Sequence, residues 1–271
     1  MTGYGEALAA QLSGAPGLCV GIDPHPHLLD AWGLPGSAEG VLEFGLAVVD
    51  AAAGRAHALK PQVAFFERYG SAGLAALEQV LAVARERGIR LIGDAKRGDI
   101  GTSVAAYGQA WLTPGSPLEV DALTVSAFQG LGSLDTVIEL AAEHGKGLYV
   151  LCATSNPEAA AVQRAVTAAG ESVAAMIARQ AAQLNASSVA AGHVGLVLGA
   201  TNDLADYGLE LDAKTPVLAP GFGAQGASLT DVRTLFPTAA PVLASVSRSV
   251  LSAGASGLAD AIDAAVATVT A

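Results

Sequence analysis

Ile89-Arg90-Leu91-Ile92-Gly93-Asp94-Ala95-Lys96-Arg97-Gly98-Asp99-Ile100 is the stretch where this chain changes character. The run Ile89–Gly93 predicts a buried strand. Asp94, Lys96 and Asp99 follow it at once. Unpaired charges are too costly to bury, so they are expected where the strand emerges, paired with each other or with a ligand. In parallel α/β folds that end of the strand is where active sites form.

Seven further short apolar runs recur around it: Leu18–Ile22, Ala56–Leu59, Ala122–Val125, Gly147–Ala153, Val194–Gly199, Thr215–Ala219 and Pro241–Val246. Between them lie segments rich in Ala, Leu, Glu, Gln and Arg, such as Leu74–Arg87 and Ser172–Leu184, which have high helical propensity. Strands alternating with helices imply a parallel sheet with helical crossovers. Eight such units in about 250 residues fit a single closed (β/α)8 TIM barrel with parallel strands. An open doubly wound sheet ranks second, because no Gly-rich loop of dinucleotide type follows the first run. No linker interrupts the pattern, so residues 1–271 are expected to form one domain. The long connection Thr154–His193 is an enlarged βα unit of that domain.

Composition narrows the function. With 14 basic against 25 acidic residues the net charge is −11, and no basic face of the kind nucleic acid requires is visible. An anionic ligand must therefore be held by a few placed donors rather than by the field of the whole protein. No apolar stretch is long enough to span a bilayer, and Met1–Gly14 does not have the pattern of a signal peptide. Cys19 and Cys152 lie inside apolar runs, as buried thiols of a reducing cytoplasm do.

Polar residues cluster just past the runs. Side chains alternate along a strand, so Asp94 and Lys96 face the same way, into the barrel mouth. Lys60, from the neighbouring strand, approaches Asp94 from the other side. The expected result is a row of alternating charge, Lys60, Asp94, Lys96 and then an acid, in which each lysine stays protonated and each carboxylate ionised at neutral pH. A structural ion-pair network would use the same residues. After the last two strands come Pro220-Gly-Phe-Gly-Ala-Gln-Gly226 and Ser245-Val-Ser-Arg-Ser249. Glycines let backbone N–H groups approach an anion, Arg248 offers a bidentate fork and Gln225 a neutral donor. TIM barrels commonly bind phosphate there. His25 and His27 lack a carboxylate at ligand spacing and are expected to be exposed loop residues rather than metal ligands. Ser155 has no histidine–acid pair near it in sequence and is expected to hydrogen-bond a ligand, not to act as a nucleophile.

Leu91-Ile92-Gly93-Asp94-Ala95-Lys96-Arg97-Gly98-Asp99-Ile100-Gly101 resembles the Asp-x-Lys-x-x-Asp signature of the orotidine 5'-phosphate decarboxylases. The resemblance spans nearly the whole chain. Gly21-Ile-Asp-Pro24, Lys60-Pro-Gln-Val-Ala-Phe-Phe-Glu67 and Ala153-Thr-Ser-Asn-Pro157 look like the longer bacterial, type 2 subgroup. The Pro220–Gly226 and Ser247-Arg248 elements match its phosphate-binding segments. The resemblance implies cofactor-independent decarboxylation of orotidine 5'-phosphate to UMP and CO2, the last step of de novo pyrimidine nucleotide synthesis, by a cytoplasmic homodimer with shared active sites. It implies that Lys96 protonates C6 of the pyrimidine and that Asp94 lies against the substrate carboxylate between Lys60 and Lys96. Asp99 is implied to reach the ribose in the partner's site, and Asp23, with Lys60, to bond a ribose hydroxyl. Ser155 is implied to contact the pyrimidine amide edge, Gln225 and Arg248 to hold the phosphate, and Pro220 and Ser247 to bind the substrate beside them.

Two positions depart from the family pattern. Ser103 stands where the family usually has Thr, keeping a hydroxyl for ribose contact. Ser126-Ala-Phe-Gln-Gly130 stands where the subgroup more often has a proline and a tyrosine. Two rival readings remain at the level of sequence. A Mg2+-dependent sugar-phosphate enzyme of the same barrel type would need an acid at the end of the second strand, where this chain has Lys60-Pro61-Gln62. A non-catalytic nucleotide-binding barrel would not need the alternating row.

Overall fold

The computed structural model describes residues 2–238 and 241–271. The elements run α1 (Tyr4–Leu12), β1 (Gly17–Ile22), α2 (Pro26–Ala31), α3 (Ala38–Ala52), β2 (Ala58–Pro61), α4 (Val63–Glu67), α5 (Gly70–Glu86), β3 (Ile92–Arg97), α6 (Gly101–Leu112), β4 (Ala122–Val125) and α7 (Asp135–Glu143). They continue β5 (Gly147–Ala153), α8 (Ala160–Gln163), α9 (Val173–Asn185), β6 (Val194–Leu198), β7 (Val217–Pro220), α10 (Val232–Leu235), β8 (Val242–Val246), α11 (Arg248–Leu251) and α12 (Gly254–Thr270). The eight strands form one sheet in the order β2-β1-β8-β7-β6-β5-β4-β3, with every pair parallel. Isolated bridges Leu59↔Leu91 and Gln62↔Asp94 join β2 to β3 and bring the two edges together. This is the expected (β/α)8 TIM barrel.

The strands divide their side chains by the period of two. In β1, Leu18, Val20 and Ile22 join the large apolar layer between strands and helices, and Cys19 joins the smaller cluster inside the barrel. Ile92, Ala122, Tyr149, Val197, Leu218 and Leu243 fill that interior with it, the layered packing expected of this fold. Helix α1 closes the barrel at the N-terminal ends of the strands. Its Tyr4, Leu8 and Leu12 belong to the interior cluster, and the Tyr4 hydroxyl donates to the Tyr149 hydroxyl at 3.2 Å. Gly195 makes room for this: a Cβ there would fall 2.6 Å from the Tyr149 ring.

The third strand departs most from expectation. The sequence pattern ends the third strand at Gly93, but β3 starts at Ile92 and continues through Asp94 and Lys96 to Arg97. Its charged residues are inside the strand because they are paired there, not because the chain has left the barrel. A smaller shift moves β2 from the expected Ala56–Leu59 to Ala58–Pro61, so that Lys60 is likewise a strand residue.

Candidate active site

At the C-terminal rim, β2 and β3 lie in register with Gln62 opposite Asp94. Asp94 is 8% exposed and Lys60 7%. Lys60 Nζ donates to Asp94 Oδ2 at 2.8 Å and Lys96 Nζ to Oδ1 at 2.6 Å. The Thr124 hydroxyl, from β4, donates to Oδ1 at 2.9 Å. Gln62, with its amide oriented to satisfy both neighbours, donates to Asp94 Oδ2 at 2.5 Å and accepts from Lys96 Nζ at 3.2 Å. Burial alone would raise the Asp94 pKa, but the charges and hydrogen bonds of Lys60 and Lys96 outweigh it and hold the carboxyl well below the usual carboxylate range. Burial likewise opposes the Lys60 charge, and the carboxylates of Asp94 and Asp23 overcome it and push its pKa up. The carboxylate is thus ionised and engaged by protein groups alone.

Lys96 has φ +50°, in the left-handed region that a residue with a Cβ occupies only under constraint. Between Gly93 and Arg97 the β3–β4 register shifts, as at a bulge, a feature common beside active sites. The Lys96 N–H leaves the ladder and donates to the Thr124 hydroxyl at 3.0 Å. Its ammonium borders a compartment of about 180 Å3 lined by Lys60, Asp94, Thr124, Leu151, Thr154, Ser155, Val197, Leu218 and Pro220. This space has charge on one side and apolar side chains on the other.

Lys60 and Pro220 also line an adjoining cleft of about 450 Å3, which runs to Arg248 past Asp23, His25, Gln62, Phe65, Gln225 and Ser247. Here polar groups are left without partners. Asp23 Oδ1 and Ser247 Oγ are buried and make no hydrogen bond among the described residues. Arg248, at the start of α11, forms none of the ion pairs found among the described residues. The loop after β7 bends through Gly221, Gly223 and Gly226, all at positive φ. Across the mouth, the Ser155 hydroxyl donates to Gln225 Oε1 at 3.2 Å, joining the compartment to the cleft.

A family model described as orotidine 5'-phosphate decarboxylase / HUMPS family matches residues 16–260. The chain is 50% identical to an orotidine 5'-phosphate decarboxylase of Salinispora tropica over 256 residues, 94% of this chain and 91% of that one. It is 48% identical to the enzyme of that name from Corynebacterium efficiens over 255 residues, 93% of this chain and 90% of that one. The chain belongs to the orotidine 5'-phosphate decarboxylase family. Among solved structures it superposes on a Streptomyces avermitilis protein with a TM-score of 0.93 at 45% identity, covering 100% of this chain and 97% of that one. The Leishmania donovani OMP decarboxylase superposes with a TM-score of 0.76 at 26% identity, covering 97% of this chain and 96% of that one.

For a member of the decarboxylase family, the residues expected from sequence fall into two groups. Lys60, Asp94, Lys96, Asp23, Ser155, Pro220, Gln225, Ser247 and Arg248 line the compartment or the cleft. Asp99 and Ser103 do not. Asp99 accepts from the Ile100 N–H at 2.8 Å and makes none of the ion pairs found among the described residues, so within one chain the charged row has three members and not the expected four. The chain turns into α6 right after it, and this carries Ser103 to an exposed position. Sequence reasoning did not single out Gln62 and Thr124. Each is placed by alternation, two residues beyond an inward-facing Lys60 or Ala122, and that spacing was the available signal. It also missed His25, which is no exposed loop residue: it lines the cleft, its ring 4.4 Å from that of Phe65 and 5.2 Å from that of His27. Burial lowers its pKa from the ordinary histidine value.

Proposed function

We propose that this chain decarboxylates orotidine 5'-phosphate to UMP and CO2, the closing step of de novo pyrimidine nucleotide synthesis, with Lys96 as the proton donor. The observation that carries this reading is Asp94, ionised and held by two ammonium groups beside a small, half-apolar compartment. In this reading the pyrimidine occupies that compartment and the phosphate lies at Arg248, Gln225 and Ser247. Asp23 and Lys60 hold the ribose between them.

The C6–carboxylate bond breaks, its electron pair stays on C6, and CO2 leaves. The resulting vinyl anion has no adjacent π-system to spread into, so the protein must stabilise it through charge. The Lys96 ammonium sits where that charge develops and then gives C6 a proton; solvent returns one to the lysine. Repulsion between Asp94 and the substrate carboxylate supplies about 4 kcal/mol at a separation of about 4 Å and an effective dielectric near 20. That is about three factors of ten in rate, far short of the largest enzymatic accelerations. Stabilisation of the anion by Lys96 is therefore the larger contribution. Phosphate binding far from C6 can drive closure of the Gly221–Thr230 loop rather than affinity alone.

The reading includes a homodimer. Ile100 is 61% exposed and Phe128 83%, and both belong to the rim segments after β3 and β4. Covering them with a second copy would bring Asp99 and Ser103 towards the partner's ribose site. It also includes one functional domain over residues 1–271 and a cytoplasmic setting, which two buried free thiols suit; burial pushes both up to about 12.

Loss of orotidylate absorbance on adding the protein tests the activity. Lys96→Ala is expected to abolish that loss while UMP still binds. Wild-type turnover in Lys96→Ala would remove Lys96 from the mechanism.

A further inference from the structure

Among the described residues Lys96 and Ser13 are the non-glycine residues at positive φ, Lys96 with φ +50°, and such a conformation persists only where its surroundings over-determine it. On its N-terminal side the constraint is Asp94, held by four donors. On its C-terminal side the constraint is Arg97. The Arg97 carbonyl accepts from Ser126 N–H at 2.8 Å, which fixes the backbone against the end of β4. Its guanidinium donates to the Glu67 carboxylate and to the Ala95 carbonyl at 3.3 Å, and lies 5.6 Å from the centroid of the Tyr107 ring. Glycine at 98 permits the arrangement, because a Cβ there would fall 2.3 Å from the Ser126 carbonyl oxygen.

Glu67 ends α4, the helix that starts directly after Gln62. The same short segment therefore sends Gln62 to Lys96 Nζ and Glu67 to the residue that follows Lys96. We propose that the Glu67–Arg97 ion pair is a positioning clamp for the reaction. It ties α4 to β3, keeps Lys96 in its left-handed conformation and so holds the ammonium at the end of the charged row. Neither Glu67 nor Arg97 lines the compartment or the cleft, so the clamp acts through Lys96 and not through substrate contact. Tyr107, stacked on Arg97 from α6, limits the directions in which the guanidinium can move.

The inference rests on Lys96 as the proton donor, and a misplacement of about 1 Å in such a group costs on the order of a hundredfold in rate. The test is a double-mutant cycle with Glu67→Gln, Arg97→Gln and the double variant, reading kcat, KM for orotidylate, Kd for UMP and the unfolding temperature. Each single variant is expected to lower kcat about tenfold or more with Kd for UMP within about twofold of the parent. The double variant should lose no more than the worse single, because residues acting as one unit are not additive. Glu67 is half-exposed, so Glu67→Gln tests the clamp even if Arg97→Gln does not fold. An unchanged kcat in Glu67→Gln overturns the clamp. So do losses that multiply in the double variant, and so does a kcat loss matched by loss of UMP affinity, which marks general damage to the fold. A parent protein that binds UMP but leaves orotidylate intact defeats the proton-donor reading itself and takes the clamp with it. That result appears before any variant is made.

Discussion

The two ends of the binding cleft are built on opposite plans. At the Lys96 end, Asp94 accepts from Lys60, Lys96, Thr124 and Gln62, and every group has its partner. At the Arg248 end, Asp23 Oδ1 and Ser247 Oγ are buried without one among the described residues, and the guanidinium makes none of the ion pairs found there. A buried polar group left unsatisfied costs about 1–3 kcal/mol, which a ligand returns when it binds. The difference implies that the chemical end is preorganised, costing no rearrangement at the moment of reaction, while the phosphate end is completed by the substrate.

The largest expected effect of breaking this division is at Arg248. Arg248→Ala should lower kcat/KM for orotidylate about a hundredfold, in line with the roughly 1.5–3 kcal/mol of a hydrogen bond to a charged group. It should barely alter the slow turnover of orotidine, which has no phosphate; an equal loss on both substrates would contradict the division. A smaller effect is expected at Thr124, whose hydroxyl both donates to Asp94 and accepts from the Lys96 N–H. Thr124→Val should lower kcat about tenfold with UMP affinity little changed, and a loss confined to KM would place Thr124 at the wrong end. The smallest effect concerns pH. Because the folded pKa of Asp94 is depressed, its contribution to stability is present above the unfolded value near 3.9 and is lost only as pH falls through the lower folded value. The Asp94 side-chain carboxyl carbon should therefore show no titration by NMR between pH 5 and 8, and a step in that window would mean the row is not fully engaged.

Much of this site could be read in the sequence, for physical reasons that can be named. Alternation along strands put Lys60, Asp94 and Lys96 on one face, and glycines with an arginine after the last strands marked the phosphate end. The β3 boundary differs from the sequence pattern because a charge in a dry strand is prohibitive on its own, and its cost is outweighed by Lys60, from another strand, together with Lys96, with Thr124 and Gln62 as further donors. The left-handed backbone at Lys96 leaves no trace in local sequence, since lysine has no preference for it. It is imposed by long-range contacts from β4 and α4. Asp99 looked like the fourth member of the row from spacing alone, but the turn into α6 carries it away from the cleft.

The most direct test is a pair of crystal structures, without ligand and with UMP. Preorganisation requires that the Lys60–Asp94 and Lys96–Asp94 contacts of 2.8 Å and 2.6 Å stay unchanged, with Lys96 Nζ against C6, while the Gly221–Thr230 loop closes on the phosphate at Arg248. A charged row that assembles only with UMP bound, or a Lys96 ammonium turned away from the pyrimidine, would contradict it.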